Sequence, residues 1–171
     1  TGRMLERIAP KFGRAVGVDA NHAMLAVARA NLEQAGLSRV ELRQGDIYAL
    51  PFARGSFDLV VIHQVLHFLD DPGRAVREAS AMLAPGGRLI VVDFAPHEME
   101  FLRSEHAHRR LGFAREGMDG WLVQAGLMPT SHRTLAPEPG SEGKLTVSFW
   151  LARDGRAAPP SLHKHDQQEI A

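Results

Sequence analysis

Cysteine is absent from all 171 residues, which excludes disulfides, thiolate metal sites and a cysteine nucleophile. Its absence is compatible with a reducing cytoplasm, the expected location. Charge of one sign does not dominate either: Lys+Arg and Asp+Glu both number 20, so no general basic surface points to nucleic acid. No apolar run approaches the roughly 18 residues that a membrane-spanning helix needs, and no membrane partner is expected. An initiator Met is lacking as well. Thr1-Gly2-Arg3 therefore reads as the tail of a glycine-rich turn whose first half lies upstream. What is present suits one globular domain, taken as 1–153, with 44% hydrophobic and 23% charged residues and enough length to bury a core. Residues 154–171, with Pro-Pro and polar side chains from Ala157 onward, are expected to form a disordered tail.

Short apolar, β-branched runs alternate with helical stripes, the pattern of a parallel sheet covered on both faces. The strands expected are 15–18, 40–43, 59–62 and 88–92. Between the first two, Asn21 is placed as an N-cap, Leu25, Ala28, Leu32 and Ala35 form the stripe, and Gly36 ends it. Asp71-Pro72 starts another helix, whose stripe of Val76, Ala79 and Leu83 runs until Pro85-Gly86-Gly87. A further helix is marked by Met118, Trp121, Leu122 and Ala125, and a weaker one is expected within 97–111. Strands at 131–135 and 146–152, separated by the loop Pro137-Glu138-Pro139-Gly140, suggest an antiparallel pair at the sheet edge.

Open parallel sheets bind ligands beyond the carboxyl ends of their strands. Four features fall there. Thr1-Gly2 opens a helix, a place that favours an anionic group, although such a pair also makes an ordinary turn. Asp19, with Ala20 after it, ends the first strand and is placed to accept both ribose hydroxyls of a nucleoside, or simply to cap a helix. Gly45-Asp46-Ile47 follows the second strand; Asp46 could accept from an adenine amino group while Ile47 packs on the ring, or serve as a turn residue. The third strand runs into His63, a base or orienter, or else a hydrogen-bonded wall residue, with His67 one helical turn further.

In this order and spacing the residues resemble a class I S-adenosylmethionine-dependent methyltransferase over about 1–153. Thr1-Gly2 matches the end of that family's glycine loop, and Asp19 and Asp46 match its ribose and adenine acids. Ser56-Phe57-Asp58-Leu59-Val60-Val61 matches its fourth-strand motif, and Leu83-Ala84-Pro85-Gly86-Gly87-Arg88-Leu89 the turn before its fifth strand. The resemblance implies a Rossmann-like, doubly wound, mostly parallel α/β sheet with an antiparallel terminal hairpin. It also implies S-adenosylmethionine as cofactor and a small-molecule acceptor. The family's first strand would then be missing, leaving the 15–18 and 59–62 strands with unpaired edges at about 1–3 kcal/mol per unpaired group. The fragment by itself is accordingly expected to be unstable or inactive.

More finely, His63 to Pro72, Asp93-Phe94-Ala95-Pro96-His97 and Glu105 to Phe113 resemble the ubiquinone/menaquinone C-methyltransferase subgroup. They also resemble methyltransferase domains joined to arsenical-resistance-type winged-helix repressors. DNA is then implied as a partner only through an upstream domain. The cysteines of arsenite methyltransferases are lacking, which argues against arsenic methylation.

Methyl transfer is an in-line displacement, needing a base only if the acceptor carries a proton to lose. The candidates for that base are His63 first, then His97 and Asp93. No metal is expected: on a helix, His97 and Glu105, or Glu98 and His106, would lie roughly 12 Å apart. Arg109 and Arg110 suit either an anionic substrate or solvent. Two other readings stay open, an NAD-dependent oxidoreductase and a non-catalytic sensor of S-adenosylmethionine.

Overall fold

Asn21 shows how local chemistry sets an element boundary here: its side-chain oxygen accepts the backbone N–H groups of Ala23 and Met24 and so caps the helix α2. A computed structural model describes residues 1–138, 140 and 143–156 of the chain. The helices are α1 (Arg3–Ile8), α2 (His22–Gln34), α3 (Pro72–Ala81), α4 (Phe101–Glu105) and α5 (Arg115–Gln124). The strands are β1 (Val16–Asp19), β2 (Glu41–Gln44), β3 (Phe57–His63), β4 (Leu83–Phe94), β5 (Leu127–Leu135) and β6 (Val147–Asp154). Asp71 accepts the Arg74 N–H at 2.9 Å and Pro72 takes the first helical position, so α3 starts where its cap residues dictate.

Parallel β1 and β2 form one sheet, and β3-β4-β6-β5 form another, in which β3 and β4 are parallel while β6 runs antiparallel to both β4 and β5. The expected α/β architecture with its terminal antiparallel pair is therefore present. Among the described residues, β1 is hydrogen-bonded on one side only, to β2, and β3 on one side only, to β4. Each sheet has its own core. The larger joins Leu89 and Val91 of β4 and Trp150 and Ala152 of β6 to Val76 of α3 and Met118 and Leu122 of α5. Burying each such large side chain contributes about 1.5–3 kcal/mol. The smaller, of Ala9, Leu32 and Val40, holds α1 and α2 on the β1-β2 sheet.

Several boundaries differ from expectation. Leu83 belongs to β4 rather than to the stripe of α3, because the strand begins before Pro85-Gly86-Gly87 with an irregular register against β3. A Cβ on Gly87 would stand 2.8 Å from the Ala84 carbonyl oxygen, so this close passage needs glycine. β5 starts at Leu127 and carries Pro129, which an edge strand tolerates. The helix expected within 97–111 is confined to Phe101–Glu105. Beyond it Ala107 turns to a φ of 55°, and backbone N–H groups of Arg109 and Arg110 leave the helical ladder for the His67 carbonyl. Asp154 ends β6 and Arg156 donates to the Leu83 carbonyl at 2.7 Å, so these residues, expected in the tail, are packed on the domain. The tail from Ala157 and Pro139 of the loop lie outside the described residues.

Candidate active site

The carboxyl ends of β1, β2 and β3 place three sequence-nominated side chains. Asp19 is half-buried; its Oδ1 accepts the Asn21 N–H at 2.8 Å. Ala20 beside it is exposed, and its carbonyl accepts from Gln44 Nε2 at 3.1 Å. Gly45 donates its N–H to the Asp19 carbonyl, which ties the two strand ends together. A Cβ on Gly45 would meet Val18 Cγ1 at 3.0 Å. Asp46 is exposed and accepts the Tyr48 N–H at 2.8 Å through Oδ1. Ile47 is half-buried against the larger core. Thr1 and Gly2 sit at the start of α1 and are engaged with α2. Asn31 Nδ2 donates to the Thr1 carbonyl at 2.8 Å, and a Cβ on Gly2 would approach Ala28 to 3.2 Å.

His63 ends β3 with its ring at the surface. Partial desolvation lowers its pKa, against the opposing pull of the Asp93 charge. Gln64, next in the chain, adopts a φ of 49° and donates its N–H to the Val92 carbonyl at 2.7 Å. A left-handed residue other than glycine is strained, and here the turn directs the chain away from the end of β3.

Asp93 does not pair with His63. It is fully buried and accepts three hydrogen bonds, from the Leu66 N–H at 3.0 Å, the Phe94 N–H at 2.8 Å and His67 Nδ1 at 2.7 Å. The buried His67 ring lies 4.8 Å from Phe94 and 4.3 Å from His108, centroid to centroid, and Phe94 and His108 stack at 17°. His97 closes this group, edge-on to Phe94. Its Nδ1 accepts the Met99 N–H, and its Nε2 is buried without a partner. Burial, followed by the neighbouring His67, lowers the pKa of both His97 and His108. Asp93 has no surface with which to touch a ligand.

Residues 1–91 match the family model described as a methyltransferase domain. The chain belongs to the methyltransferase family.

The chain is 34% identical over 156 residues to the uncharacterized methyltransferase YcgJ of Bacillus subtilis, covering 87% of this chain and 60% of that protein. The crystal structure of YcgJ superposes with a TM-score of 0.73 at 19% identity, over 91% of this chain and 88% of that one. The uncharacterized protein YafE of Escherichia coli is 40% identical over 157 residues, 84% of this chain and 73% of that protein. The demethylmenaquinone methyltransferase of Lactococcus lactis is 35% identical over 88 residues, 52% of this chain and 34% of that protein. The chain thus spans less than two thirds of the length of several relatives.

The donor set at these strand ends fits a nucleoside. Asp19 and Asp46 each spend one oxygen on a backbone N–H and keep carboxylate capacity for the hydroxyl and amino hydrogens of such a ligand. The grouping of His67, Phe94 and His108 was not legible in the sequence. The signal present there was a carboxylate, Asp93, placed inside an apolar strand run, which needs a buried partner.

Proposed function

We propose that this protein transfers a methyl group from S-adenosylmethionine to a small-molecule acceptor. The observation that carries the reading is the pair of carboxylates, Asp19 and Asp46, at the ends of adjacent parallel strands in a chain of the methyltransferase family. Asp19 would hold the ribose hydroxyls and Asp46 the adenine amino group, with Ile47 beside the ring. The Thr1-Gly2 turn would border the same ligand. When bound, the sulfonium supplies an electrophilic methyl group and a leaving group that needs no acid. The protein's own work is then to hold the acceptor and exclude water. His63, whose lowered pKa keeps its ring neutral near pH 7, can take a proton from an acceptor that has one to lose. Asp93 holds His67, and through it the wall formed with His97 and His108. The printed name of the Lactococcus relative supports a ring compound of the quinone type as one acceptor class to test.

The one-sided pairing of β1 and β3 among the described residues leaves an edge of each strand open to a further strand. Placement in the cytoplasm accords with the cysteine-free composition.

The decisive experiment is calorimetric titration of S-adenosylmethionine and of NAD into the full-length protein, with Asp19→Ala alongside. Selective micromolar binding of S-adenosylmethionine that the variant loses is the expected result. Binding of NAD instead would overturn the proposal, and binding of neither would favour a domain kept for interaction.

A further inference from the structure

A cavity of about 290 Å³ opens between the 103–113 segment and α5. Arg103, Arg109 and Arg110 form its polar wall, Phe113, Met118 and Trp121 its apolar floor, and no carboxylate among the described residues lines it. Two of the cations are balanced from outside: Arg103 pairs with Glu100 at 3.0 Å and Arg109 with Asp70 at 2.6 Å. Arg110 has no carboxylate partner among the described residues. Its Nη2 donates to the Asp70 carbonyl at 2.9 Å, and its Nε is buried without a hydrogen bond. A half-buried guanidinium with unspent donors is matched by a carboxylate or phosphate oxygen, which accepts charge-assisted hydrogen bonds.

The floor selects the rest of the ligand. Phe113 and Met118 are buried, and the Trp121 ring is held edge-on to Phe113 at 5.8 Å. Gly73 of α3 makes room for that ring, since a Cβ there would meet Trp121 Cδ1 at 3.0 Å. A preformed aromatic surface next to a cation suits a flat apolar body carrying one anionic group. The pocket also adjoins the candidate active site: the N–H groups of Arg109 and Arg110 both donate to the carbonyl of His67, the residue that Asp93 holds. The family match ends at residue 91, so these arginines belong to the part of the chain that family membership leaves unspecified.

We propose that this pocket binds an organic anion, a carboxylate or phosphate ester on a flat apolar body, and that this is the anionic end of the methyl acceptor. The word acceptor rests on the methyl-transfer reading; the binding itself does not.

The test is a titration of the full-length protein, without any methyl donor, followed by tryptophan fluorescence, to which Trp121 in the cavity and the buried Trp150 outside it both contribute. The ligands are 4-phenylbutyrate, phenyl phosphate and the neutral 4-phenylbutanamide. The two anions show which head group is preferred, and the amide reports the apolar contribution alone. Saturable binding of an anion about tenfold or more tighter than the amide is expected, with a similar loss in Arg110→Gln. Gly117→Leu gives a second, structurally safe variant, because a Cβ at Gly117 meets nothing within 4 Å and the site lies in α5 at the cavity wall. It should block anion binding while its affinity for S-adenosylmethionine stays that of the parent protein. The proposal is overturned if neither anion saturates, if the amide binds as tightly, or if both variants keep parental anion affinity. Loss of S-adenosylmethionine binding in the parent protein would instead remove the methyl-transfer reading and leave the anion pocket standing.

Discussion

His67 Nδ1 and Asp93 Oδ1 lie 2.7 Å apart with both side chains buried, at the carboxyl end of β4 and in the turn that follows β3. Asp93 also accepts the Leu66 N–H, so a single carboxylate fixes both the ring and the backbone of that turn. The same His67 offers its carbonyl to Arg109 and Arg110. One contact therefore links the end of β4 to the loop that carries His108 and the arginine pocket.

Asp93→Asn keeps the size of the side chain but turns one accepting oxygen into a donor facing the Leu66 N–H, the Phe94 N–H or the imidazole. A loss of about 1.5–3 kcal/mol is expected, the range for hydrogen bonds to charged groups. Urea unfolding of the variant measures it directly. A change below about 0.5 kcal/mol, the size of an ordinary surface substitution, would show that the contact holds nothing in place.

The lowered imidazole pKa values give a pH signature. His97 and His108 are depressed below 6.5 by burial first, with His67 adding to both, Arg103 lowering and Glu100 raising His97, and Asp93 raising His108. Between the depressed folded value and 6.5 the unfolded chain binds more protons than the folded one, so stability rises with pH there. Full stability is expected above about pH 6.5, with a decline as pH falls below it. Urea midpoints at pH 7.5 and 5.5 should differ in the parent protein and differ less in His108→Gln. The carboxyls of Glu41, held low by Arg43 and Arg14, and of Asp154, held low by Arg156, contribute stability that is lost only at more acidic pH. A flat profile from 7.5 to 5.5 would contradict the burial of these two rings.

Glycine at 112 is required twice over. Its φ is 84°, and a Cβ there would stand 2.1 Å from the Ala95 carbonyl oxygen, a rigid backbone atom. Gly112→Ala is expected to cost about 3 kcal/mol or more, beyond the strain of a left-handed residue alone. Gly36 has a φ of 70° but open space around it, so Gly36→Ala should cost only the backbone strain, about 1 kcal/mol. Thermal melts of the two variants side by side decide the matter; equal losses would contradict the close approach of Gly112 to Ala95.

His63 stands at the end of β3 with a lowered pKa and an exposed ring. If the acceptor loses a proton to it, His63→Gln should reduce turnover by about 10²–10⁴-fold. Affinity for S-adenosylmethionine should change far less. Unaltered turnover with an unaltered pH profile would make His63 a wall residue.

Much of this architecture was legible in the chain alone, because it depends on local chemistry. Asn21 and Asp71 cap their helices with their own side chains, and the buried Leu25, Ala28 and Leu32 stripe follows from helical period. The apolar runs became parallel strands, and their carboxyl ends put Asp19, Asp46 and His63 where an open sheet presents its ligands. Less legible was anything set by contacts between distant segments. The 97–111 stretch has helix-forming residues, yet its backbone donors turn to His67, some 40 residues earlier in the chain, and leave only Phe101–Glu105 helical. Sequence determined which residues could serve as caps, strands and strand-end carboxylates. Tertiary structure alone decided that Asp93 faces His67 rather than His63, and that three arginines share a cavity with Trp121, since burial and charge pairing arise only when separate elements pack.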